Sequence, residues 1–153
     1  MKIYNNFIGI DIGKKNFVVY IWGEKFPKEY ENNAAGIALF IKEREGILAS
    51  SLCVLETTGG YEMELLLTLC EQQMAVHRAN TRNVKSFIRS WGNAAKTDAL
   101  DAKALARYGH ERHNILKLFS PVSDRMHTTG QLKKLKQLSI YIFCVVYAPQ
   151  RQC

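Results

Sequence analysis

Two short apolar runs in this chain each end on an acid, and that pattern limits the fold more than any other feature. Phe7-Ile-Gly-Ile leads into Asp11, and Cys53-Val-Leu leads into Glu56. A carboxylate at the end of a buried strand is costly to desolvate unless it is paired or holds a cation. In sheets covered by helices, strand ends are also where ligands sit. If the two strands are neighbours, the two acids can face each other.

The rest of the chain supplies partners for such strands. Phe17 to Trp22 is β-branched and aromatic, and the Gly13-Lys-Lys-Asn16 turn makes it a hairpin partner of the first run. A third strand is expected near Phe26 to Tyr30. Ala34 to Glu45 has apolar residues at 34, 37, 38 and 41, which is helical spacing, with Asn32 or Asn33 as cap. Ser51 to Leu55 is a strand, and Gly59-Gly60 breaks the chain before a helix over Tyr61 to Gln73. Met74 to Ala79 is a strand, Thr81 to Trp91 a basic amphipathic helix, and Thr97 to Tyr108 a further helix. This order predicts an α/β fold, a mixed sheet flanked by helices.

A length of 153 residues allows one domain with its own core, and 47% hydrophobic with 23% charged residues excludes a disordered or fibrous chain. Met1 to Asn6 is too short and polar for a leader. The longest apolar run, Ile140 to Ala148, falls well below the roughly 20 residues that span a bilayer. Cys53, Cys70, Cys144 and Cys153 form no CxxC pair, which argues against a zinc or disulfide framework. A soluble, cytoplasmic protein is expected.

The net charge of +7 is unevenly placed. Residues 1–73 carry seven Lys/Arg against ten Asp/Glu, whereas residues 74–117 carry nine against three. A one-sided basic surface suits DNA or RNA, although a merely solubilising face has the same composition.

Two further acids lie inside that basic stretch. Asp98 and Asp101 are three apart, so on a helix they share one face. Four like charges near one point repel unless a cation neutralises them. A pair of Mg²⁺ (or Mn²⁺) ions about 3.5–4 Å apart would make such a cluster a site for in-line attack on a phosphodiester. Taken singly, each acid has a plainer explanation. Asp98 could stabilise a helix N-terminus, and Asp101 could pair with Lys103 or Arg107.

Ile8-Gly-Ile-Asp-Ile-Gly13, Leu55-Glu-Thr-Thr-Gly59, Val76-His-Arg-Ala-Asn80 and Lys96-Thr-Asp-Ala-Leu-Asp-Ala102, followed by Leu105-Ala-Arg107, together resemble the N-terminal domain of the DEDD transposases. These insertion-sequence enzymes are related to the Piv DNA invertases and have a RuvC-like, RNase H-like fold. The resemblance runs over about residues 7–118. It implies that Asp11, Glu56, Asp98 and Asp101 are catalytic and bind Mg²⁺ or Mn²⁺. It also implies DNA as partner, a structured guide RNA in some members, and a homo-oligomer at full length. Arg78, Arg82, Lys85, Arg89 and Lys96 are then candidates for phosphate contacts, each adding to the salt dependence of binding.

The reading divides the chain into an RNase H-like domain over 1–120 and an atypical tail over 121–153. The resemblance implies a second, serine-bearing domain, and the apolar stretch Ile140 to Tyr147 does not fit the polar helix expected there, so a truncated or frameshifted copy is expected. Two other functions stay open. One is an inactive fragment that only binds nucleic acid. The other is an actin-like ATPase or sugar-kinase piece, because Gly9-Ile-Asp-Ile-Gly13 resembles that family's first phosphate turn. His110 and His113 lack a matching ligand cluster and read as a solvated helix end. Trp22 and Trp91 read as packing residues.

Overall fold

The computed structural model describes residues 3–92 and 98–121. Among these residues, five strands and four helices follow the predicted order: β1 (Asn6–Ile12), β2 (Asn16–Ile21), β3 (Lys28–Glu31), α1 (Ala34–Leu48), β4 (Ser51–Glu56), α2 (Met63–Glu71), β5 (Ala75–Ala79), α3 (Thr81–Arg89) and α4 (Asp98–Arg112). The sheet order is β3-β2-β1-β4-β5. The β1–β2 and β2–β3 pairs are antiparallel, and the β1–β4 and β4–β5 pairs are parallel.

Element boundaries shift where local chemistry overrides apolar spacing. β3 begins at Lys28 rather than Phe26 because Pro27 has no N–H for the ladder. The α2 helix begins at Met63, since Gly59 and Gly60 take φ of 70° and 105°. At the end of α3, Gly92 at φ 93° turns the chain away. Asn33 is the cap of α1, its side chain accepting from the Gly36 N–H at 2.8 Å.

The sheet separates two cores. Ile8, Ile10, Cys53 and Leu55 pack with Ile37, Phe40 and Ile41 of α1 and Leu65, Leu66 and Leu69 of α2. Phe7, Leu52 and Val54 pack on the other face with Val84 and Phe87 of α3 and Leu105 and Tyr108 of α4. Because central strands are covered on both sides, they read as continuous apolar runs.

On this second face α4 lies unusually close to β1. A Cβ at Gly9 would fall 2.0 Å from the Ala102 carbonyl oxygen and 2.3 Å from the Ala106 nitrogen. One at Gly109 would fall 2.8 Å from Val54 Cγ2. Ala102, Ala106 and Gly109 are spaced along one helix face, so the small residues of α4 meet the bare backbone of β1. The C-terminal end of α4 is fixed by rings: His110 stacks on Trp22 at 5.3 Å, and both His110 and His113 lie 5.2 Å from Phe7. His110 keeps these contacts while staying exposed, as expected of a solvated helix end, and His113 is half-buried. Beyond α4 the chain returns to β5, where the Phe119 N–H donates to the Val76 carbonyl at 2.7 Å. Among the described residues no helix is long and apolar enough to cross a membrane.

Candidate active site

Asp11 and Glu56 stand at the C-terminal ends of neighbouring parallel strands. The last registered pair is Ile10 with Leu55, so each acid lies one residue beyond it. Strand alternation puts them on the face of Phe7 and Val54, the face α4 crosses. Gly9 is what lets the first turns of α4 come down over this end of β1. Asp98 opens that helix, and Asp101 follows one turn later, half-buried.

An open cleft of about 840 Å³ results, and Asp11, Glu56 and Asp101 all line it. Its donors are hard carboxylate oxygens in a space that leaves room for water, which fits a small divalent cation. Among the described residues, no three His, Cys, Asp or Glu side chains close up into a ready ligand group. Asp11, Glu56 and Asp101 share the cleft lining.

The basic candidates divide by position. Lys85 and Arg89 are exposed on α3 and line the same cleft. Arg82 is exposed on α3 but is not part of its lining. Arg78 is committed elsewhere: its Nη2 donates to Glu62 Oε1 at 2.7 Å. Lys96 lies outside the described residues, as does the tail from residue 122.

Glu62 went unnoticed in the sequence, yet it organises the loop that follows Glu56. It is fully buried. Its Oε2 accepts from the Thr58 N–H at 3.1 Å, the Thr58 hydroxyl at 3.1 Å and the Gly60 N–H at 3.0 Å. Burial pushes its carboxyl up, but Arg78 and the backbone N–H donors outweigh that and hold it below its ordinary value. No periodicity announces such a residue. The only hint is a carboxylate placed just after a Gly-Gly turn. The sequence also assigned no site role to Lys103, or to Trp91 and Arg107, all of which line the cleft.

The match to the DEDD transposase family, described as a transposase, covers residues 8–140, which runs past the boundary expected at Ser120-Pro121. Pilin gene-inverting proteins of Moraxella lacunata and Moraxella bovis are each 29% identical over 154 residues, spanning 89% of this chain and 48% of their own length. The chain thus spans about half the length of these curated relatives. Among solved structures, Thermus thermophilus RuvC in complex with a Holliday junction substrate aligns at a TM-score of 0.55 with 12% identity, over 73% of this chain and 98% of that one. A second Thermus thermophilus RuvC structure aligns at 0.50 with 14% identity. The fold is RNase H-like, of the RuvC type. The chain belongs to the DEDD transposase family.

Proposed function

We propose that this chain is the catalytic domain of a DNA transposase or site-specific recombinase that acts on DNA strands with Mg²⁺ or Mn²⁺. The observation that carries the reading is that Asp11, Glu56 and Asp101 line one cleft with Lys85 and Arg89. Family membership favours it over an actin-like ATPase.

Asp11, Glu56 and Asp101, with Asp98 one helical turn before the last, would hold the metal. When bound, a divalent ion offsets charge on the reacting phosphate and makes water a stronger nucleophile. Asp11 and Glu56 offer oxygen from rigid strand ends, and Asp101 does so from a helix set by its close packing on Gly9. Lys85 and Arg89 would orient the strand by its phosphates. Arg78, tied to Glu62, braces the loop behind Glu56. Full strand exchange would draw on a serine-bearing region, a second copy of the chain and, in this reading, a structured RNA.

The test is a strand-nicking assay on plasmid DNA with Mn²⁺, using the chain and Asp101→Asn. Metal-dependent nicking that the variant loses, with DNA binding kept, is expected. DNA binding without any metal-dependent nicking would favour the inactive-fragment reading.

A further inference from the structure

Not all of the cleft is suited to phosphate. Ile88, Trp91 and Ala104 give it an apolar stretch of wall, and Arg107 joins them. The Arg107 guanidinium carbon lies 3.9 Å from the Trp91 ring centroid. Its Nε donates to Glu111 Oε1 at 2.6 Å, which fixes the guanidinium plane. Trp91 is itself steadied by Phe87, edge to face at 4.5 Å. The Arg107 side chain nevertheless keeps 39% of its surface exposed.

A continuous duplex offers phosphates and groove edges, and cations alone can hold it. A flat apolar and guanidinium surface is of no use to such a partner. It suits the face of an unpaired base, which stacks on aromatic rings and on Arg planes. Arg107 lies six positions beyond Asp101 on α4, about 9 Å along the helix axis, within reach of a short stretch of strand.

We propose that the Trp91–Arg107 stack seats an unpaired base next to the phosphate that reaches the acids, so that the cleft selects DNA with an unpaired nucleotide over continuous duplex. This rests on the nuclease reading above and names the substrate class of that same site. The plainer role for the two side chains is to fasten α3 to α4, and the test separates the two roles.

Fluorescence anisotropy would compare the chain's binding to a duplex, the same duplex with one unpaired central nucleotide, and the single strand, with Ca²⁺ in place of Mg²⁺. The DNAs with unpaired bases should bind about tenfold more tightly than the duplex. Trp91→Ala, and Arg107→Lys, which keeps the charge but not the plane, should remove that preference and leave duplex binding unchanged. Equal binding of all three DNAs by the unaltered chain would overturn the proposal and leave the nuclease reading intact. Loss of binding to all three DNAs alike in the variants would also overturn it, in favour of the fastening role. So would Arg107→Lys melting normally and keeping the preference. No binding of any DNA by the unaltered chain would contradict the proposed function itself.

Discussion

Gly9 does more to define the cleft than any charged residue. Its missing side chain leaves space that the α4 backbone occupies, and this brings Asp101 over the ends of β1 and β4. Gly9→Ala would set a methyl against backbone atoms on a helix already packed to contact. We expect a loss of about 3 kcal/mol in urea unfolding, and an unchanged midpoint would mean that α4 packs less closely. Glu62 is the second pivotal residue. Its folded carboxyl titrates below its unfolded value, so the stability it contributes is fully present above about pH 4.5. That contribution is lost as pH falls through the folded value. Glu62→Gln should cost about 2–3 kcal/mol at neutral pH, less than a fully buried pair because Arg78 is one-third exposed. The variant should also flatten the acid limb of a stability-versus-pH curve. A limb as steep as that of the unaltered chain would assign acid sensitivity to other groups.

At the scale of elements, the edge of the sheet is held by the segment after α4. His77 on β5 lies 2.7 Å from the Lys117 carbonyl through its Nδ1, and Phe119 hydrogen-bonds to Val76. Burial pushes the His77 imidazole below its ordinary value of 6.5. The folded state thus favours the neutral ring, and the stability this gives is present above about pH 6.5 and lost as pH falls. Protection of the Phe119 amide, taken relative to its intrinsic exchange rate, should therefore fall between about pH 7 and pH 5, and His77→Gln should remove that fall. Equal protection in both proteins would show that the edge does not depend on this ring. The elements themselves were legible from sequence, since β1 and β4 are apolar on both faces and α3 carries its cations on one side. Their pairing was not. That β4 lies parallel to β1, with Glu56 beside Asp11, depends on contacts between residues more than 40 positions apart. Ala102, Ala106 and Gly109 look like ordinary helix formers and breakers until their fit to Gly9 and Val54 is seen.

For the molecule as a whole, strand-end acids and a basic second half were enough to suggest where the cleft forms. They did not reveal which cations line it. Arg78 and Lys85 are alike in sequence, but one braces a buried carboxylate and the other lines the cleft. Such a distinction needs three-dimensional neighbours, because a charge pattern records sign and spacing but not partner. In the proposed site, carboxylates from two strands and a helix serve one divalent ion. The most direct measurement is Mn²⁺ binding by calorimetry to the unaltered chain and to Asp11→Asn, Glu56→Gln and Asp101→Asn, with Glu111→Gln as an outlying control. Each of the first three should weaken the same binding event at least about tenfold, near 1.4 kcal/mol, while the control matches the unaltered chain. Mn²⁺ affinity indifferent to all three, or lowered no more than in the control, would contradict the proposed site.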